Sequence, residues 1–78
     1  MFKPIAEFEK TDDYDQPSLV LKTDIGLLFY GEWDPASGYF FVTDYVNQPF
    51  TSEQKEFLER MELPGRLYAT VTGYRIYQ

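Results

Sequence analysis

Carboxylates are the most numerous side chains in this sequence that could take part in chemistry, with 13 acidic residues against seven basic ones. Three of them lie close together in the segment TDDYDQP, where Asp12, Asp13 and Asp15 surround Tyr14. Closely spaced aspartates are typical of three different structures: a metal-binding loop, a patch that contacts a basic surface, and a turn exposed to solvent. The spacing of these residues decides how well each structure fits.

A calcium-binding loop of the EF-hand type fits this segment poorly. Such a loop needs oxygen ligands at its first, third and fifth positions, then a glycine, and a glutamate at the twelfth position. Counted from Asp13, the third position is Asp15, but Pro17 takes the fifth and no glycine follows it. Asp24 stands at the twelfth position and is one carbon shorter than glutamate. We therefore expect no metal ion here, and interpret the segment as a solvent-exposed turn that is also a candidate contact patch.

A second group of carboxylates lies around a predicted hairpin. Glu32 and Asp34 flank Trp33, and Asp44 would face them across the hairpin. Two carboxylates held in a cleft can carry out acid–base catalysis, but a domain with a single helix offers little volume for such a cleft. The sequence also has no histidine and no cysteine, which are the usual general base and thiol nucleophile. We therefore expect no enzymatic activity and no cofactor.

The net charge of −6 bears on the kind of partner that this protein binds. Binding to DNA or RNA depends largely on basic side chains that neutralise phosphates, so direct nucleic-acid binding is not expected. An acidic protein is attracted instead to basic surfaces. The sequence has no apolar run long enough to span a membrane, no apolar signal-peptide core, and no cysteine for disulfides. These features predict a cytoplasmic location without membrane association.

The order of hydrophobic patterns predicts one α+β domain over residues 1–78. Alternating apolar and polar residues indicate strands, and the segment DPASG between two of them indicates a hairpin turn. From Thr51 the apolar period becomes helical, with Gln54 completing a capping box and Pro64 ending the helix. We expect a mostly antiparallel sheet of four to five strands with one helix packed on one face, in the order β-β-β-β-α-β. The predicted strands cover residues 4–10, 18–23, 27–33, 39–46 and 66–77, and the predicted helix covers about residues 51–63.

One helix cannot cover both faces of such a sheet, so the second face is exposed to solvent or meets a partner. The alternation pattern places tyrosine and threonine on that second face. The last strand contributes Tyr68, Thr70, Thr72 and Tyr74, and the hairpin strand contributes Tyr39, Phe41 and Tyr45. Tyrosine is enriched at the energetic centres of protein interfaces, but neighbouring rings also pack on one another as cross-strand pairs. The sequence leaves both interpretations open.

These observations predict a binding protein that docks on a basic surface of a partner protein. In a more specific form, the partner binds nucleic acid, and the carboxylates inhibit it by taking the places of phosphates. The chain is similar in composition to small inhibitors encoded by phages and mobile elements, because it is short, acidic, cysteine-free and rich in aromatic residues. No motif assigns it to a family. The residues expected to contact the partner are Asp12, Asp13, Tyr14, Asp15, Glu32, Trp33, Asp34, Tyr39, Asp44 and Tyr45.

The alternative function is that of a structural or assembly protein which forms a homodimer. The last predicted strand is long and rich in tyrosine and threonine, and Arg75 is the only charged residue in its second half. A strand of this kind at the edge of a sheet can pair with the same strand of a second copy. Under this alternative, the partner is another copy of the chain.

Overall fold

The computed structural model describes residues 1–13 and 15–77, which form six antiparallel strands and one α-helix. The strands are β1 (Lys3–Pro4), β2 (Leu19–Thr23), β3 (Leu28–Asp34), β4 (Tyr39–Tyr45), β5 (Gly65–Leu67) and β6 (Val71–Ile76), and the helix α1 is Ser52–Arg60. They lie across a single sheet in the order β1-β6-β2-β3-β4-β5. The prediction of an α+β domain with an antiparallel sheet is confirmed, although the sheet has six strands where four to five were expected.

The sheet is strongly curled. Strands β2, β3 and β4 separate β6 from β5 across the sheet, yet only residues 68–70 connect β5 to β6 along the chain. An extended connection of this length spans at most about 15 Å, at about 3.6 Å per residue. Four strand spacings in a flat sheet would take about 19 Å. Curling makes up the difference, and it gives the sheet a concave inner face and a convex outer face.

The hydrophobic core fills the inner face of the curled sheet. Because side chains alternate between the two faces of a strand, every second residue of β2, β3 and β4 points into it. The buried core residues are Leu19, Leu21, Leu27, Phe29, Trp33, Phe40, Val42, Leu67, Val71 and Tyr74. α1 covers one part of this face, where the ring of Phe57 lies 6.4 Å from that of Phe29.

A capping box fixes the start of α1, as the sequence predicts. The Thr51 hydroxyl accepts a hydrogen bond from Gln54 N at 3.1 Å, and Gln54 Oε1 accepts one from Thr51 N at 3.0 Å. Gln54 is buried, and its amide finds a partner by donating to Ile25 O at 2.8 Å, which ties the helix to the turn between β2 and β3. No helix in the described part of the chain is long and apolar enough to cross a membrane.

The first predicted strand, over residues 4–10, is largely replaced by a turn. After the two residues of β1, a 3₁₀ turn covers Ile5–Glu7, and Phe8 N donates to Ile5 O at 3.0 Å. The turn carries Phe8 onto the inner face, where its ring packs edge-to-face on Trp33, Phe40 and Tyr74, at 6.1, 5.3 and 5.1 Å between centroids. Phe8 therefore faces inward as expected. It is held there by packing of its ring and not by hydrogen bonds to a neighbouring strand.

The last predicted strand, over residues 66–77, is divided into β5 and β6. A turn separates them, closed by a hydrogen bond from Val71 N to Tyr68 O at 3.0 Å. The expectation that Tyr68 and Tyr74 share an outer face is wrong, because Tyr74 is a core residue with 9% of its surface exposed. β6 also lies between β1 and β2, so it is not the edge strand that the dimer alternative assumed.

A β-bulge in β4 changes which of its residues face outward. The register between β3 and β4 shifts before Gly31, which leaves Thr43 as the extra residue. Beyond the bulge, Tyr45 lies opposite Phe29 and packs edge-to-face on Phe50, with 5.6 Å between ring centroids. The expectation that Tyr45 lies on the outer face is therefore wrong, because the shift turns it toward the core.

The close approach of β3 and β4 at this bulge predicts a strong effect of one substitution. A Cβ atom at Gly31 would collide with the backbone oxygen of Phe41, so we expect Gly31→Ala to lower the free energy of unfolding by about 2–3 kcal/mol. Gly38→Ala is the control, because Gly38 has a φ of 74° but no atom near its would-be Cβ; its cost is about 1 kcal/mol. Urea denaturation measures both values. Equal costs would contradict the close approach.

Candidate functional site

The outer face of the sheet carries a groove at its centre. Its volume is about 410 Å³, and it is lined by Ser18, Tyr30, Gly31, Glu32, Phe41, Thr43 and Tyr77. The register explains its shape: Glu32 lies opposite Phe41, and Tyr77 N donates to Ser18 O at 2.8 Å. Aromatic rings therefore stand on both sides of the small residues Ser18 and Gly31, which form the low part of the groove.

One wall of the groove is a pair of packed tyrosines. The rings of Tyr30 and Tyr77 lie 5.1 Å apart at 59° to each other. Val20 lies on the same face, with Tyr30 and Arg75 as its cross-strand neighbours, and is completely buried although it is outside the inner core. We attribute its burial to these neighbours. Tyr77 keeps 49% of its surface exposed, so this wall of the groove is accessible to a partner.

In the acidic segment, residues 11–13 and 15 are exposed and are held by hydrogen bonds from backbone to side chain. Asp13 Oδ1 accepts a hydrogen bond from Asp15 N at 2.9 Å, and the Thr11 hydroxyl accepts one from Asp13 N at 3.3 Å. Trp33 Nε1 donates to Thr11 O at 3.2 Å, which fastens the start of the turn to β3. Asp12, Asp13 and Asp15 are exposed. Tyr14, also expected to contact a partner, lies outside the described residues.

Antiparallel pairing places this turn and the hairpin between β3 and β4 at the same end of the sheet. The turn enters β2 at Leu19, and Leu19 pairs with Gly31 near the end of β3. The carboxylates at this end therefore come from two separate segments. We call this set the acidic end: Asp12, Asp13, Asp15, Glu32 and Asp34. Asp44 is exposed but lies farther along the sheet, opposite Tyr30.

Three of the aromatic residues predicted to contact a partner differ in whether they are buried or exposed. Trp33 has 7% of its surface exposed and packs on Phe8, so it lies in the core rather than on the outer face. Tyr45 also faces the core. Tyr39, in contrast, is 46% exposed and packs edge-to-face on Tyr68 at 5.9 Å. Of these three residues, only Tyr39 is available at the surface near the acidic end.

Carboxylates dominate the exposed charge of the described residues. The bridge between Glu56 and Arg60, at 2.6 Å, is the only salt bridge in residues 1–13 and 15–77. All acidic residues are exposed except Asp34, whose carboxylate accepts hydrogen bonds from Ala36 N and the Ser37 hydroxyl at 3.1 and 2.9 Å. The same part of the chain contains no cluster of three or more carboxylates suited to a metal ion.

The sequence patterns do not indicate the groove. Tyr30 belongs to a segment that is apolar on both faces, and this pattern did indicate a strand with a covered outer face. Tyr77 and Ser18 carry no comparable signal, because their proximity depends on the pairing of β2 with β6. Phe41 was expected on the outer face, and it lies there opposite Glu32.

Comparisons with other proteins do not assign the chain to a family. No family model matches it, and no curated protein and no solved structure matches it. The candidate function therefore depends on the surface described above.

The hydrogen bonds of the acidic turn predict that its charge can be removed without unfolding the protein. Asparagine keeps the side-chain oxygen that accepts from the backbone, so the triple variant Asp12→Asn, Asp13→Asn, Asp15→Asn should change the free energy of unfolding by less than about 0.5 kcal/mol. Asp34→Ala is the contrasting variant, since it removes the oxygens that hold the hairpin, at a cost of about 1 kcal/mol. Thermal and urea denaturation measure both. A large loss in the triple variant would make the turn a structural element.

Proposed function

We propose that this protein is a non-enzymatic binding protein that docks on a basic surface of a partner protein through its acidic end. The observation that carries the proposal is the gathering of carboxylates from residues 11–17 and from the end of β3, without a salt bridge to any described residue. Exposed Tyr39 and Tyr77 lie at the same end and offer rigid contact area.

Charge explains how such a surface would act. The carboxylates at the acidic end attract a basic partner over distances of about one Debye length, roughly 10 Å at moderate salt. Association would therefore be fast at low salt and slower as salt rises, because ions screen the attraction. The exposed tyrosines would supply contacts that persist once the two surfaces meet.

In its more specific form, the proposal describes an inhibitor of a nucleic-acid-binding protein. A surface that binds phosphates is basic, and carboxylates held at the acidic end would occupy it in place of phosphates. The net charge of −6 supports this form, as does the composition that resembles small inhibitors from phages and mobile elements. We place this interaction in the cytoplasm, on composition alone.

Homodimerisation has less support. The last strand, which was expected to pair with a second copy, lies between β1 and β2. The edge strands of the sheet are β1 and β5, which have two and three residues. Short edges of this kind offer few backbone groups for pairing. Sedimentation of the purified protein as a dimer at all concentrations would favour this alternative over the proposal.

The test uses two variants with the same net charge. One replaces Asp12, Asp13 and Asp15 with asparagine, and the control replaces Glu53, Glu59 and Glu62, exposed residues on and just beyond α1, with glutamine. Each variant removes three of the carboxylates and changes the net charge from −6 to −3. Partners are captured from a lysate at low and high salt, and the affinity of the purified partner is then measured by calorimetry.

We expect the wild type and the control to retain the same basic protein at low salt, and the acidic-turn variant to bind it about tenfold more weakly. Added nucleic acid should compete with the wild type if the partner is a nucleic-acid-binding protein. Equal loss of binding in both variants would show that only net charge matters. Binding that ignores salt would contradict the electrostatic mechanism.

A further inference from the structure

The groove on the outer face has the shape and chemistry to hold a planar cation. We propose that it receives the guanidinium group of an arginine side chain on the partner. This inference rests on the proposed function and names the chemical group that is recognised. The groove would bind one particular side chain of the partner, whereas the acidic end attracts the basic surface as a whole.

The walls of the groove are aromatic. Tyr30 and Tyr77 form one wall, with their rings inclined at 59° to each other, and Phe41 stands on the other side. The faces of aromatic rings carry negative electrostatic potential and attract cations. Ser18 leaves space between the walls because its side chain is small, and Gly31 lines the groove with its backbone. A flat group can enter this space and stack on a ring.

Glu32 supplies the negative charge that a guanidinium requires. It lines the groove, is exposed, and lies opposite Phe41 in the sheet. It forms no salt bridge with any residue in the described part of the chain. The nearest basic residue along the same row is Arg66, which pairs with the far side of Phe41. Phe41 therefore stands between Glu32 and this guanidinium in the sheet. Arg75 lies in the neighbouring row of the same face, where its guanidinium is held 5.6 Å from the ring centroid of Phe2.

Arginine fits this combination better than other occupants. Its guanidinium is planar, stacks on aromatic faces, and donates two parallel hydrogen bonds to a carboxylate. Lysine carries a compact ammonium group that stacks less well and donates from a single point. A nucleic-acid base could also stack on the rings, but its phosphate would be repelled by Glu32 and by the net charge of −6.

The test is a titration of the full chain, followed by the NMR shifts of its backbone amides. The probe is an acetylated and amidated glycine–arginine–glycine peptide, and the control peptide has citrulline, which is nearly isosteric but neutral, in place of arginine. We expect the arginine peptide to shift the amides of Tyr30, Glu32, Phe41 and Tyr77, with an affinity about tenfold higher than that of the citrulline peptide. Equal affinities would overturn the proposal, as would shifts located on α1.

Two variants test the groove residues, and a third is the control. Glu32→Gln removes the charge and keeps the size, and Tyr77→Leu removes one ring from a position at the surface. Each should weaken the arginine peptide about fivefold or more, since each removes one of the two attractions. Glu59→Gln removes an exposed carboxylate from α1 and should leave the affinity unchanged. Normal affinity in Glu32→Gln would overturn the proposal, and so would tighter binding of a lysine peptide.

The failure of this inference can be distinguished from the failure of the proposed function. The acidic-turn variant leaves the groove intact, and Glu32→Gln leaves the turn intact. If the basic partner binds the wild type and Glu32→Gln equally well, the groove inference fails and the proposed function stands. If the arginine peptide binds in the groove but no basic partner is retained, the proposed function fails by itself.

Discussion

The contacts of Phe8 on the inner face hold the two ends of the curled sheet together. Its ring packs edge-to-face on Trp33 from β3, Phe40 from β4 and Tyr74 from β6. Pairs of this geometry contribute about 0.5–1.5 kcal/mol each beyond the area they bury. This one side chain therefore completes a core that α1, with its nine residues, covers only in part.

The position of Phe8 also determines where the acidic turn lies. The chain leaves the core at Phe8, and Trp33 then binds the backbone of Thr11, so the following aspartates emerge beside the end of β3. Lys10 lies between Phe8 and Thr11 in the chain. Its Nζ is 4.5 Å from the ring centroid of Tyr68 and donates a hydrogen bond to the Tyr68 hydroxyl at 2.8 Å. A positive charge that is held against a tyrosine in this way leaves the neighbouring carboxylates free to attract a partner.

The elements governed by local chemistry could be predicted from the sequence, and those governed by tertiary contacts could not. Thr51 and Gln54 indicate the start of α1 because a capping box involves only residues that are close together in the sequence. The turn after Pro4, the bulge at Thr43 and the break at residues 68–70 carry no local signal of this kind and are visible only in the folded sheet. The same difference holds for the candidate site. The sequence indicates an exposed cluster of aspartates from their spacing alone. It does not indicate that Trp33 is a core residue, nor the groove, which forms only when distant strands pair.

The central claim, that the outer face and its acidic end meet the partner, is tested most directly by oxidative footprinting of the complex. Hydroxyl radicals modify exposed tyrosine and methionine side chains, and these residues lie on different parts of this protein. Tyr39 and Tyr77 mark the outer face, whereas Met61, which is only partly buried, lies at the C-terminal end of α1. The account predicts that the partner protects the two tyrosines and leaves Met61 as reactive as in the free protein. Protection of Met61 with unchanged tyrosines would contradict it.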